Sequence, residues 1–458
     1  MNNNNPNPGA KHVANILGEW GRWQFKWTVF VFVMMAISAI NNMGYAFHAF
    51  DNDFWCSDVP PDLMNKTQVC HRAHLASMSQ VFYMLGYFVS GLIFSHYSDK
   101  YGRRPIIFTS FIIEIIGIVS CILSPNIYFY SISRFFVGMV IENCGPKYRA
   151  DIYVLTDIGW VLGYAAIPGL AYWLRDYRYM QLTSLIATIF LLLWYYLLCE
   201  SPRWLLSTGR IGRAEHILRK ALKTNGLSDE NLGDQLKGLS EYLQNVQSSD
   251  KSKQNHTVLD LVKTSNLRKI SMIMWYTHAV VALLYYGISL NMSDFGGNFY
   301  ITFLLSGLVE LPSQLLTVVF FRLFGRRLLF STFLTITSVS CLAIIGSRAE
   351  WLTVLLALIG KFGVNSAWNV MAVVGPELYP TVIRHRGMGV AQVVGRLGSI
   401  SAPYMKNLAA IHGLAPVMIL YGVLSGVGAL IVLLLPETKG REIPDTIEET
   451  DQDNIINT

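Results

Sequence analysis

The sequence predicts an all-α polytopic membrane protein built from two six-helix halves, and three observations carry that reading. Of its 458 residues 52% are hydrophobic and only 14% are charged, with a mean hydropathy of +0.37; soluble domains carry far more charge. Apolar runs long enough to cross a hydrocarbon core of about 30 Å as helix recur along the chain. One short loop pattern occurs twice, each time between apolar runs. It reads GLIFSHYSDKYGRRP from Gly91 to Pro105 and FRLFGRRL from Phe321 to Leu328.

A crossing takes about twenty residues. By that ruler the spans fall near 26–47, 76–97, 105–124, 127–143, 151–173, 180–199, 270–290, 298–320, 328–346, 351–373, 387–406 and 414–435. Gly163, Pro168, Pro312 and Pro403 lie inside spans, where neighbouring helices can satisfy freed backbone groups. The expected organisation is a tail (1–25), a first membrane half (26–199), a linker with amphipathic helices (200–269), a second half (270–435) and an acidic tail (436–458). Met1 to Gly18 is Asn-rich and polar, which does not fit a cleavable signal peptide.

Loop charges set the orientation. Lys100, Arg103, Arg104, Lys147, Arg149, Arg322, Arg326, Arg327, Arg384 and Arg386 fall in alternate loops, together with the basic segment from Arg203 to Lys269. The other loops carry Asp51, Asp53, Asp58, Asp62 and Asp294, and a mixed Arg175-Asp176-Tyr177-Arg178. The first set is therefore expected in the cytosol, with both termini. The net charge of +6 sits in these loops, so nucleic acid is not an expected partner. In the linker, Leu205, Leu206, Ile217, Leu218 and Leu222 mark an amphipathic helix that lies on the membrane surface or caps the bundle. Cys56 and Cys70 fall in the first extracellular loop, where a disulfide is permitted and two free thiols are the alternative. Asn65, in Asn65-Lys-Thr67, is the expected glycosylation site. No metal cluster, phosphate loop or nucleophile–base set stands out, so no cofactor and no enzyme activity are expected.

The halves align by their loops. Gly102-Arg103-Arg104 matches Gly325-Arg326-Arg327, Glu142 with Arg149 matches Glu377 with Arg384, and Glu200 with Arg203 matches Glu437 with Arg441. Parallel six-helix repeats of this kind build a transporter. The spacing is unequal: Gly102 to Glu142 covers 40 positions, and Gly325 to Glu377 covers 52. The first half thus lacks about 12 residues, which at 1.5 Å each are roughly 18 Å of helix, and the deficit falls on helix 4.

The ordered set SDKYGRRP, ENCGPKYRA, CESPRWLL, YYGISLN, VELPSQ, ELYPTVIRHRGMG, GRLGSISAP and PETKGREIPDTIEE runs from about Met78 to Glu449. It resembles the organic cation, carnitine and organic anion transporters of the major facilitator superfamily. The resemblance implies the major facilitator fold and secondary transport of small organic ions, cationic or zwitterionic, across the plasma membrane by alternating access; Arg396 and Asp157 together favour carnitine- or betaine-like zwitterions, with mutual neutralisation of the two as the alternative. A small organic ion, the lipid bilayer and a coupling ion are the implied partners, and a monomer the implied state. Two departures stand out: Trp55 to Cys70 is a remnant of the family's long first extracellular loop, and helix 4 is short. They leave a second reading open, a relative that keeps the fold but is impaired in transport.

Asp99, Arg103 and Arg104 share a membrane face with Glu142 and Arg149, and Arg326, Arg327, Glu377 and Arg384 repeat the set. Such charges can gate one face or merely anchor topology; the repeat favours gating. Glu200, Arg203 and Glu437 resemble the motifs that end each half of the family fold. Charges inside spans are costly and usually functional. Tyr153, Asp157 and Trp160 share one face of span 5, a set that can hold an organic cation, with an Asp paired to Arg149 as the alternative. Glu114 in span 3 is expected to pair with Arg134. Arg396 in span 11 can take a substrate carboxylate; the resemblance places Arg there in the anion and carnitine branches and Asp in the cation branch. His278, Tyr285 and Tyr286 in span 7 and Lys361 and Trp368 in span 10 complete the candidate pocket. A single His on such a helix is more often structural than a proton carrier.

Overall fold

The computed structural model describes residues 16, 21–48, 74–139, 150–195, 198–227, 229, 232–233, 235–240, 258–380 and 382–440. Every regular element among them is helical. Twelve principal helices follow the expected order. They are α1 (Arg22–Met43), α2 (His74–Tyr101), α3 (Arg103–Ile122), α4 (Ile127–Gly138), α5 (Ala150–Leu174) and α6 (Tyr177–Trp194) in the first half. In the second half they are α7 (Ser265–Leu290), α8 (Phe299–Leu323), α9 (Arg326–Gly346), α10 (Glu350–Leu378), α11 (Arg384–His412) and α12 (Leu414–Val432). Eight of them are long and apolar enough to cross a membrane. The other four are the 12-residue α4 and α5, α6 and α11, which carry Asp157, Arg178 and Arg396 among their charges. Glu142, Arg149, Asn65, Cys56 and Cys70 lie outside the described residues, as do the side chains of Asp99 and Tyr153.

Local chemistry places the helix starts. Asn126, Asp176, Thr264 and Asn298 accept backbone N–H groups at the heads of α4, α6, α7 and α8, which satisfies donors that have no partner within the helix. Pro312 supplies no N–H to Leu308, and α8 is interrupted at Val309. Glu310 therefore opens the second segment of α8, where the helix dipole favours a carboxylate.

Glycines set how closely the helices cross, and they do so alike in the two halves. Gly159 and Gly163 of α5 lie against the backbone of α1 at Phe32 and Ala36, while Gly395 and Gly398 of α11 lie against α7 at His278 and Ala279. A Cβ at Gly163 or Gly398 would collide with the facing carbonyl oxygen. Small residues are what allow such approach inside a membrane. The short α4 is held in the same way. Gly138 faces the Tyr83 carbonyl, Gly86 of α2 faces the Phe135 carbonyl, and Gly117 of α3 lies against Val137. The described residues of α4 thus pack closely on α2 and α3 at Phe135, Val137 and Gly138.

The described loops with repeated charges, at Arg103, Arg104, Arg326, Arg327 and Arg384, make up the basic face. There the helices Pro202–Ser207 and Ile211–Asn225 pack Trp204, Leu205, Leu206, Leu218 and Leu222 into one small core with Leu232, Leu236 and Leu239. Asn225 accepts the Trp23 backbone N–H at 3.0 Å and donates to Gln24 Oε1 at 2.9 Å. The amphipathic segment thus caps the bundle at the head of α1.

Candidate functional site

The basic face comes first, because the repeated motifs point there. The Glu200 carboxylate accepts the backbone N–H groups of Arg103 at 2.9 Å and Arg104 at 3.2 Å. Glu437 does the same for Arg326 at 2.7 Å and Arg327 at 3.2 Å. Each half is therefore stapled from its last span back to the head of its third helix. The Gly of each Gly-Arg-Arg motif is required by this contact, since a Cβ at Gly102 would stand 2.7 Å from Glu200 Oε2 and one at Gly325 would collide with Glu437. Arg326 Nε lies 3.5 Å from Glu377 Oε2, and Thr438 donates to the same oxygen at 2.6 Å. Arg104 stacks 4.6 Å from the Tyr195 ring centroid, Arg384 donates to the Tyr379 carbonyl, and Arg203 is exposed. These contacts join elements of the same half.

Contacts between the halves lie deeper and toward the opposite face. At that face Phe47, in the short helix Tyr45–His48 that follows α1, meets Phe299, Tyr300 and Phe303 of α8 at centroid distances of 4.6, 5.6 and 5.0 Å. Tyr172 of α5 meets Tyr300 at 5.6 Å, and Ser77 of α2 donates to Asn407 of α11 at 2.8 Å. Among the described residues these contacts join the two halves at the opposite face.

A polar cluster occupies the middle of the bundle. Lys361 of α10 is fully buried, with Nζ 3.0 Å from Glu310 Oε1 and donating to Ser289 Oγ at 2.6 Å. Tyr285 donates its hydroxyl to the same Glu310 oxygen at 2.8 Å and presents its ring to the ammonium, 3.3 Å from Nζ to the centroid. Trp160 of α5 donates to the Tyr285 hydroxyl at 2.9 Å, and Trp368 lies 5.7 Å from the Tyr285 ring. Tyr164 of α5 bonds Ser306 of α8 at 3.1 Å, and Asn42 of α1 donates to the Tyr286 hydroxyl at 3.3 Å. Both halves thus contribute to one set of aromatic rings and opposed charges.

The other intramembrane charges have partners of their own. Asp157 accepts from Gln314 of α8 at 2.6 Å, and the Arg396 guanidinium sits 3.4 Å from the Tyr87 centroid. Glu114 and Arg134 are joined through Asn41, not directly as the sequence suggests. Asn41 donates to Glu114 at 2.8 Å, while Arg134 donates to the Asn41 carbonyl and to Gln80, each at 2.8 Å. Asn41 thus links the two charges, its side-chain amide to Glu114 and its backbone carbonyl to Arg134. His278 is buried, with Nδ1 2.7 Å from the Met274 carbonyl.

Of the candidates read from sequence, Trp160, Tyr285, Lys361 and Trp368 come together, and Tyr286 adjoins them. Asp157 and Arg396 sit on separate partners. Sequence reasoning passes over Glu310, Tyr164, Ser289 and Gln314. Glu310 is legible in principle: it stands inside the 298–320 span in VELPSQ, and the rule that singles out Glu114 applies to it equally.

Comparison with known proteins agrees with this architecture. The family described as sugar (and other) transporter matches residues 31–449. The chain is 33% identical over 396 residues to the organic cation transporter protein of Drosophila melanogaster, covering 83% of this chain and 72% of that one. The chain belongs to the organic cation, carnitine and anion transporter family of the major facilitator superfamily. Solute carrier family 22 member 3 of Mus musculus is 33% identical over 84% of this chain and 70% of its own length, and human solute carrier family 22 member 2 is 30% identical over the same shares. In fold, the chain is similar to the inward-open xylose transporter XylE from E. coli, with a TM-score of 0.70 at 16% identity over 93% of this chain and 99% of that one. It is a secondary transporter by family, and its relatives carry the names of transporters.

Proposed function

We propose that this transporter moves small zwitterionic organic ions, of the carnitine or betaine kind, across the plasma membrane by alternating access. The single observation that carries the reading is the midplane cluster, in which α1 and α5 of one half meet α7, α8 and α10 of the other around a buried carboxylate–ammonium pair. A site shared by two repeats is what a rocking transporter needs. The intramembrane charges support net-neutral cargo, because Glu114, Asp157 and Glu310 are matched by Arg134, Lys361 and Arg396. Arg396 and Asp157 attract the substrate's carboxylate and cationic end on its way to the midplane cluster, where the Glu310–Lys361 pair receives them. In this reading the basic face is cytosolic, with both termini, and the halves joined at the opposite face give an inward-facing state. The stapled charge sets of Arg103, Arg104, Glu200, Arg326, Arg327, Glu377 and Glu437 keep each half rigid as it rocks.

Uptake by cells expressing the chain, across a panel of permanent cations, zwitterions and anions, tests the proposal. Arg396→Ala is expected to lower zwitterion uptake at least tenfold and uptake of a permanent cation much less. Equal loss for both would make Arg396 structural. A second reading, a transport-impaired relative, draws on the 12-residue α4. No uptake of any panel member by surface-expressed chain would favour it.

A further inference from the structure

We infer that Lys361 is a tethered surrogate for the ammonium group of a ligand, and that the Glu310–Lys361 pair filters ligands by charge, admitting those that bring a cation and a carboxylate together. The inference rests on the reading that the midplane cluster is the substrate site. It begins from what surrounds Lys361 Nζ: a carboxylate oxygen at 3.0 Å, a hydroxyl at 2.6 Å, the Tyr285 ring centroid at 3.3 Å and that of Tyr164 at 5.4 Å. A carboxylate beside aromatic faces is the set that recognises alkylammonium groups. Here the occupant comes from the chain itself. Trp160 holds the Tyr285 hydroxyl at 2.9 Å and Trp368 flanks its ring, so the ring is fixed for a cation whichever cation is present.

Burial turns this arrangement into a filter. Lys361 is 0% and Glu310 1% exposed, so neither charge can fall back on water. A simple cation that displaced Lys361 from Glu310 would leave the ammonium buried without a counter-charge, with only the Ser289 hydroxyl and the rings beside it, and a simple anion drawn to Lys361 would leave Glu310 without one. Uncompensated buried charge is strongly unfavourable. A zwitterion inserted between the two gives its ammonium to Glu310 and Tyr285 and its carboxylate to Lys361. One ion pair becomes two, and no charge is stranded.

The test uses three probes of one shape class on the purified full chain: betaine, tetramethylammonium, and 3,3-dimethylbutanoate, the uncharged-head isostere of betaine. Binding is read by isotope-labelled ligand retention and by ligand-induced thermal stabilisation. The native chain is expected to bind betaine at least tenfold more tightly than either single-charge probe. Lys361→Met vacates the aromatic site and leaves Glu310 in need of a cation, so tetramethylammonium affinity is expected to rise at least tenfold while betaine loses its advantage. Lys361→Arg should retain the native ranking, and the double variant Lys361→Met with Glu310→Gln should bind none of the three. The inference is overturned if Lys361→Met binds tetramethylammonium no better than the native chain, or if the gain persists in the double variant. Should Lys361→Met fail to fold, Lys361→Ala is expressed with methylammonium in the medium. Restored surface yield supports the surrogate role, and yield no better than with added urea refutes it. These binding readouts stand apart from transport: a native chain that moves no substrate would sink the uptake proposal, while the gained tetramethylammonium site would still be measurable.

Discussion

Replacing Glu200 by Ala removes the staple that ties the end of the first half to the head of α3. The carboxylate accepts two backbone N–H groups of α3, from Arg103 at 2.9 Å and Arg104 at 3.2 Å, and neither has a partner within the helix. A hydrogen bond to a charged group contributes about 1.5–3 kcal/mol net. Glu200 is only partly buried, so water takes over some of the work and the low end applies. Two bonds then contribute about 3 kcal/mol, with a few tenths more from the helix dipole, or roughly a hundredfold in the folded-to-unfolded ratio. Glu200→Gln keeps an oxygen acceptor and loses the charge, so about half the effect is expected. Glu437→Ala should match Glu200→Ala, because the Arg326 and Arg327 amides are held at 2.7 and 3.2 Å in the same way. Gly102→Ala should destabilise in the same direction, with a backbone at φ 102 that an L side chain rarely adopts and a Cβ 2.7 Å from Glu200 Oε2. The assay is the fraction of monodisperse protein left after graded heating, read by fluorescence-detected size exclusion. If Glu200→Ala melts with the native chain, or if Gln is worse than Ala, the capping argument fails.

Two further perturbations test how the first half holds together. Gly138→Leu forces α4 away from the Tyr83 carbonyl, which costs about 1–3 kcal/mol or more by overpacking; surface expression should fall severalfold, whereas Gly91→Leu, with open space around its Cβ position, should be tolerated. Arg134→Met strips donors from the Asn41 carbonyl and Gln80 and removes the cation linked to Glu114 through Asn41, at about 1–3 kcal/mol for each buried acceptor left unsatisfied. Pairing it with Glu114→Gln should recover part of the heat stability, and a double variant worse than the single one would show that the two charges are not linked.

Composition and periodicity were enough to read an all-α membrane protein, the order of its helices and the repeat of its halves, because span length and loop charge are properties of local sequence. The Gly-Arg-Arg motifs and Glu200 and Glu437 were legible as a repeat for the same reason. Their chemistry was not: a carboxylate capping a helix nearly a hundred residues away along the chain is a tertiary contact, and sequence offered only gating or anchoring. The short helix 4 was visible as a numerical deficit, but its tight seat on α2 depends on Gly86 and Gly138 facing each other's carbonyl neighbours, which no spacing within one helix reveals. The site divides likewise. Lys361, Tyr285, Trp160 and Trp368 were readable one by one as polar or aromatic residues inside spans. That Lys361 lies over Tyr285 and against Glu310, that Asn41 stands between Glu114 and Arg134, and that Asp157 and Arg396 have separate partners were decided by the packing of helices from both halves. A buried charge advertises its need for a partner in the sequence; only the fold chooses the partner.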